Sequence, residues 1–451
     1  MATDAQADQQ ARDERRWQDA LRSGLRCLAA GLPDDAISVL DEANSLWPDH
    51  IPILRSLAAA HLRAGHASDA LAVFATILAT NPRDAEALHG KGLALHLLED
   101  RENALNAFRC AVTAQPHAWR SLQSIADITP CEEERLDAIG RAAALLCHLC
   151  EDPAVQPILF VRCMNALLDA GRDADAVGFV RQNFARFEDQ STAYACLARA
   201  CYETGNFRAA LEHRQDSLVF GAPGAAKIPP RPPFKPDAAI AALLKVFAIF
   251  QAGGVTPFLA AGTLLGFHRN GGPLVYDRDV DIGVLSSPGT APDIYRILRE
   301  APRLMLARRA QPNDRYFALD VDGTGVDVFI YEQRAGKLHC GLGSLPGDIA
   351  WRFSAFGLKE AVYGDKTWTV PDNPDRYLAE TYGPGWRTPD RAFASVLSSP
   401  ALFSTDPYAR AYYALIRAET SRRIGDVEKA RRLLQQSPLP VLLPQINEDT
   451  A

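Results

Sequence analysis

The chain of 451 residues lacks any uninterrupted apolar stretch long enough to span a bilayer; the nearest, 238–255, is broken by Lys245 and Gln251. It also lacks a block of lysine and arginine, and its formal net charge is −7. Neither a polybasic membrane anchor nor a general nucleic-acid surface is therefore expected. Residues 1–16 are polar and acidic, where a secretory leader would be basic and then apolar, which predicts a cytoplasmic protein with a disordered N-terminus. The nine cysteines do not form two pairs with metal-ligand spacing. Cys147-His-Leu-Cys150 stands alone, so helix packing is its expected use, and Cys27, Cys110, Cys163, Cys196 and Cys201 sit in helical apolar patterns as expected buried thiols. Gly341, Gly343 and Gly347 have the wrong spacing for a dinucleotide loop, which removes a Rossmann reading.

What is present begins with a repeat. Ala36, Ala70 and Ala104 lie 34 residues apart, as do Leu40, Phe74 and Phe108, then Ala43, Ile77 and Ala111, then Pro48, Pro82 and Pro116. Gly24, Ala58 and Gly92 hold the small position of each first helix, and Gly31 and Gly65 hold the turn. Small residues let paired helices approach, large ones fill the space between them, and proline ends each unit. This pattern resembles the tetratricopeptide repeat. Residues 119–156 break the count at Thr129-Pro130-Cys131; Gly171 with Ala176, then Ala198 with Gly205 and Ala210, restore it. Each repeat exposes an apolar face that only a neighbour covers, so residues 17–220 are expected to stack as an all-α solenoid. Its concave surface would serve as a scaffold or dimer contact, or as a dock for an acceptor polymer or a protein partner.

Periodicity stops at 221–236, where prolines and glycines concentrate as in a stiff linker. An amphipathic helix over 237–251 then leads to a short apolar strand ending at Gly262. Past residue 405, Ala418, Gly425, Ala430 and Leu434 fall at repeat offsets, which predicts a terminal helical hairpin over 406–451 with a loose tail.

Chemistry concentrates between these segments. Asp277, Asp279 and Asp281 alternate with Arg278 and Val280, so on a strand all three carboxylates project from one face. Like charges gathered this way suit a divalent cation, and Mg²⁺ characteristically takes one or two carboxylates and completes its shell with water and phosphate. Just upstream, Thr263 is placed to cap a helix carrying Leu264, Leu265 and Phe267, whose amide end and nearby Gly262 favour a phosphate. Downstream, 316–331 reads as a hairpin around Asp322-Gly323-Thr324-Gly325, with Asp327 set among Val326, Val328 and Ile330. An acid in such a run needs a partner or a cation if buried.

Gly262-Thr-Leu-Leu-Gly266, Arg269, the Asp277-x-Asp279-x-Asp281 cluster, and Val326-Asp-Val-Phe329 together resemble the LicD/fukutin family of nucleotidyltransferase-fold phosphotransferases. Val370-Pro371, Tyr377-Leu378, Tyr382-Gly-Pro-Gly-Trp386 and Pro389 resemble that family's closing segment. The resemblance spans roughly 236–395 and implies a nucleotidyltransferase-fold α/β domain with a mixed sheet over 237–405. It implies Asp279, Asp281 and Asp327 as metal ligands and catalytic residues for Mg²⁺ or Mn²⁺. Gly262, Thr263, Gly266, Arg269 and Asp277 would bind substrate. The implied reaction moves a phosphorylated alcohol, such as phosphocholine or a polyol phosphate, from a CDP-linked donor to a sugar hydroxyl of a glycan. Nucleotidyl transfer to another acceptor, or a repeat scaffold carrying an inactive transferase domain, are the alternatives. Asp327 would either complete the metal shell or take the proton of the attacking hydroxyl. His268, Asn270 and Tyr276 depart from the family's usual residues.

Overall fold

The computed structural model describes residues 2–221, 235–275, 279–286, 291–301, 304–441 and 443. The chain forms two compact units, Met1–Leu145 and Leu146–Ala451. The first holds α1 (Ala2–Ala29), α2 (Pro33–Leu46), α3 (Ile51–Ala64), α4 (Ala67–Thr80), α5 (Ala85–Leu97), α6 (Arg101–Ala114), α7 (Trp119–Ile128) and most of α8 (Glu132–Leu149). Helix α1 begins well ahead of Trp17, so the segment expected to be disordered is helical. Its alanine, glutamine, arginine and glutamate are good helix formers, and no glycine or proline interrupts them.

The repeat positions pack as their spacing dictates. Ala36, Ala70, Ala104, Leu40, Ile77 and Ala111 are inaccessible to solvent. A Cβ on Gly24 would lie 2.6 Å from Leu40, and one on Gly92 2.4 Å from Phe108, so the small position exists to admit the large one. Gly31 and Gly65 turn with φ of +75° and +81°; in the third unit Glu99 adopts φ +64° at the equivalent place. An L-residue is disfavoured there, and Glu99 therefore marks the least comfortable turn of the three. Two thiols depart from expectation: Cys110 is exposed and Cys27, at the edge of the Leu28–Leu40 cluster, is only half-buried, whereas Cys163, Cys196 and Cys201 are buried. Cys150 is buried as expected of helix packing, and Cys147 Sγ lies 3.1 Å from Cys163 Sγ.

The second unit continues with α9 (Ile158–Asp169), α10 (Asp173–Gln182), α11 (Gln190–Glu203) and α12 (Phe207–Val219). The linker expected over 221–236 lies almost wholly outside the described residues. Next come α13 (Pro236–Ala252), β1 (Pro257–Leu259), α14 (Ala261–Asn270), β2 (Asp279–Ser286), α15 (Ala291–Glu300), β3 (Leu304–Leu306), β4 (Tyr316–Val321), β5 (Thr324–Arg334), β6 (Lys337–Gly341) and β7 (Ala350–Ser354). The mixed sheet runs β1-β2-β5-β4-β3, with β6 on β5 and β7 on β6; β2 and β5 are parallel and the other pairs antiparallel. Two-residue turns with positive φ, Asp322-Gly323 and Ala335-Gly336, join β4 to β5 and β5 to β6. The first is tighter than the four-residue turn predicted, because Thr324 already pairs with Val321. A separate hairpin, β8 (Leu358–Tyr363) with β9 (Lys366–Pro371), precedes α16 (Pro374–Tyr382) and α17 (Ser395–Ser398).

The predicted terminal hairpin is α18 (Pro407–Arg423) with α19 (Val427–Gln435). It packs on the repeat helices: Tyr202 of α11 stacks on Tyr412 with ring centroids 4.8 Å apart, and Arg214 of α12 pairs with Glu419. Ala418, Gly425 and Ala430 repeat the roles of Ala198, Gly205 and Ala210, all four alanines being buried and both glycines in the left-handed region. The sheet domain is thus inserted between successive helical pairs. Arg309, after β3, ties it to them through Asp173 at 2.9 Å and Glu203 at 3.2 Å.

Candidate active site

Alternation along β2 and β5 sorts apolar from acidic side chains. Val280, Ile282, Val326, Val328 and Ile330 are buried in the core that also contains Leu243, Val246 and Phe250 of α13 and Ile294 and Leu298 of α15. Asp279, Asp281 and Asp327 fall in the opposite phase and are half-buried. The parallel register pairs Asp281 directly with Asp327 and Asp279 with Gly325, so acids from two segments project from one face.

The turn from β1 into α14 holds Asp281. Its Oδ2 accepts the Gly262 N–H at 2.8 Å, its own N–H donates to Thr263 Oγ1 at 2.7 Å, and its carbonyl accepts the Ala260 N–H at 3.2 Å. Thr263 therefore is not the cap of α14. The cap position is Ala260, and the buried threonine hydroxyl fixes β2 instead. The Gly262 amide expected to face a phosphate serves the carboxylate. Ala261 adopts φ +37°, and its N–H donates to Tyr377 Oη at 3.1 Å; that hydroxyl pairs with Tyr331 Oη at 2.7 Å. A buried tyrosine pair thus clamps a strained residue beside the acids.

Asp327 Oδ1 accepts the Tyr316 hydroxyl at 2.8 Å. Burial, with the charge of Asp279 second, pushes the Asp327 carboxyl up to about 6; the Tyr316 hydrogen bond and Arg417 of α18 oppose this. Tyr316 is itself pushed well up, by burial first and the acids next. Neither Tyr316 nor Arg417 was among the residues singled out from sequence. Tyr316 could have been found: the tight turn sets Ala318 opposite Asp327, which makes Tyr316 its diagonal neighbour on the same face. Arg417 carries no local signal, since it arrives on a helix about ninety residues later.

The other expected contacts are spread out. A Cβ on Gly266 would meet Gly272 O at 2.8 Å, so this glycine lets α14 pack on the turn that follows it. Arg269 is half-buried in the last turn of α14. It lies seven residues from Gly262, about 10 Å along the axis. At the same end His268 Nδ1 sits 2.7 Å from Tyr363 Oη, and its ring lies 5.6 Å from that of Trp386. His268, Lys359, Tyr363, Asp372 and Asp375 line a cavity of about 410 Å³ there. Asp277, with Tyr276 and Arg278, lies outside the described residues.

The donor set suits a hard divalent cation: three carboxylates on one face, one with its pKa raised by burial and a like charge. As placed, they do not gather three ligand atoms within 4.8 Å of one another, a closeness that among the described residues only His61, His66 and Asp69 reach. Mg²⁺ needs only one or two protein carboxylates, so three convergent ligand atoms are not a requirement for it.

Residues 254–337 match the family model described as LicD/FKTN/FKRP, nucleotidyltransferase domain, and residues 28–92 match that of the Tetratricopeptide repeat. Among curated proteins none matches the chain. Similar solved structures include a tetratricopeptide repeat protein from Parabacteroides merdae ATCC 43184 (18% identity, 46% of this chain and 79% of that one, TM-score 0.31). Others are MamA 41-end from Desulfovibrio magneticus RS-1 (21%, 31% and 78%, 0.27) and a thermophilic TPR protein from Thermus thermophilus (19%, 46% and 91%, 0.26). The sheet-borne acids lie inside the first matched segment and the 34-residue alanine period runs through the second, so this chain joins tetratricopeptide repeats to a LicD-type nucleotidyltransferase domain.

Proposed function

We propose that the protein is a metal-dependent transferase that moves a phosphorylated alcohol, phosphocholine or a polyol phosphate, from a CDP-linked donor to a sugar hydroxyl of a glycan. The observation carrying this reading is the pairing of Asp281 with Asp327 across parallel strands, with Asp279 on the same face. Asp279, Asp281 and Asp327 are the residues that would hold Mg²⁺ or Mn²⁺, which when bound neutralises charge on the donor diphosphate. The acceptor oxygen attacks the phosphorus bearing the alcohol, the bond from that phosphorus to the bridging oxygen breaks, and CMP departs with that oxygen. Asp327, whose carboxyl burial and the charge of Asp279 push up to about 6 without a cation, would either complete the metal shell or take the hydroxyl proton. Tyr316 orients it. Asp277 and Arg269 are proposed to contact the donor, with Gly262, Thr263 and Gly266 shaping the turn behind it. The repeats are proposed to hold the acceptor or a protein partner.

Turnover of a panel of CDP-linked donors, with and without EDTA, tests the proposal. Product that requires Mg²⁺ or Mn²⁺ and disappears in Asp279→Asn and Asp281→Asn is expected. Wild-type rates in both variants would refute the assignment. Label from the nucleotide base remaining on the acceptor would move the reaction to nucleotidyl transfer.

A further inference from the structure

Among the described residues, a close group of metal-ligating side chains lies far along the sequence from the acids, in the turn between α3 and α4. His61 stands in the last turn of α3, His66 is the residue preceding α4, and Asp69 is in that helix's first turn. One ligand atom from each lies within 4.8 Å of the other two. The His61 and His66 rings are 5.9 Å apart and inclined at 48°. The backbone sets this spacing: Gly65 turns at φ +81°, and the His66 N–H donates to His61 O at 2.9 Å.

His61 supplies the second observation. It is only 9% exposed, and its Nδ1 is buried without a hydrogen-bond partner. A buried polar atom left unpaired is disfavoured, and native proteins rarely leave one so. Helix packing explains why the ring is buried. It does not explain why an imidazole sits where leucine would fill the space, nor why ligand atoms of a second imidazole and a carboxylate lie within 4.8 Å of one of its own.

We propose that His61, His66 and Asp69 bind a divalent transition-metal cation of the zinc class. Two imidazoles and one carboxylate are borderline donors that favour zinc, cobalt, nickel or copper, whereas magnesium and calcium require more oxygen ligands. Bonds of about 2.0–2.1 Å at tetrahedral angles place ligand atoms roughly 3.3 Å apart. His66 and Asp69 are exposed and can close to that separation without disturbing the core. Three protein ligands leave a fourth position to water, and the cation would staple the two helices of one repeat across their turn.

The test is calorimetric titration of the full chain, stripped with EDTA, with zinc chloride alone. Wild-type protein is expected to show an equivalent of zinc whose affinity falls more than about tenfold in His66→Ala and in Asp69→Asn. The doubly substituted Asp279→Asn/Asp281→Asn protein should keep that equivalent, which separates this site from the sheet acids. Cobalt provides a second readout: a tetrahedral visible absorption band expected in wild type and absent in His66→Ala. Both substitutions are at exposed positions, and unchanged circular dichroism checks the fold. Equal zinc affinity and stoichiometry in wild type, His66→Ala and Asp69→Asn would overturn the proposal, as would a wild-type chain that takes up no zinc.

Discussion

In the repeats, Gly92 admits the ring of Phe108 so closely that a Cβ would lie 2.4 Å from it; in the sheet, Gly283 does the same for Phe258 at 2.1 Å. The steric device is shared, and what it supports is not. The repeat helices bury apolar stripes and leave most of their charges in water, where they cost little; Asp84 and Arg135, the buried ones, are paired with Arg55 and Glu132. Strand β2 buries Val280 and Ile282 on one face and carries Asp279 and Asp281, half-buried, on the other. Close packing of Gly92 on Phe108 in the repeats serves stability. In the sheet it holds carboxylates where their charge is disfavoured unless something compensates it.

Substitutions in the two regions should separate these outcomes. The largest effect is expected in the sheet: Asp281→Ala should lower transferase turnover by at least about 10³-fold, roughly 4 kcal/mol of transition-state stabilisation, and leave the repeat helices folded by circular dichroism. A variant within tenfold of wild type would break the contrast.

Second is a pH effect confined to the sheet. Burial raises the Asp327 carboxyl from 3.8 to about 6, so the folded chain holds this proton more tightly than the unfolded one. Stability from this group is fully present below pH 4 and is lost as pH rises through 6. In EDTA, Asp327→Asn should therefore gain on wild type as pH goes from 4 to 7, by up to about 2–3 kcal/mol. Denaturant melts at both pH values check it, and a gap that does not widen would contradict the burial argument.

Third, Gly92→Leu and Gly283→Leu should each destabilise by about 1–3 kcal/mol through overpacking. Only the second should also lower turnover, since Gly283 lies two residues from Asp281 on the same strand. The smallest effect is expected of Tyr316→Phe, which removes a donor to Asp327. The pKa governing the acidic limb of the pH–rate profile should rise by about one unit.

The same contrast decides what could be read from the sequence. Repeat contacts recur at a fixed offset, so Leu40, Phe74 and Phe108 announce their partners, and the period even locates the turn that Glu99 occupies at an unfavourable φ. The acids were legible through strand alternation, and Tyr316 was recoverable from a two-residue turn that fixes register. Thr263 was placed correctly and given the wrong partner. Its capping residue type says nothing about β2 returning antiparallel to β1 with an amide to offer. Arg417 and Tyr377 were beyond reach as site residues, because their approach depends on how α18 and α16 pack, which no local pattern encodes. The insertion of the sheet domain between helical pairs was half visible, in offsets at Ala418, Gly425 and Ala430 that match those at Ala198, Gly205 and Ala210.

The proposal that acids of β2 and β5 share one cation is tested most directly by soaking crystals with CDP and Mn²⁺ and measuring anomalous density. A peak beside Asp279, Asp281 and Asp327, with nucleotide phosphate in contact, is expected. Nucleotide bound elsewhere, with no peak between those strands, would contradict it.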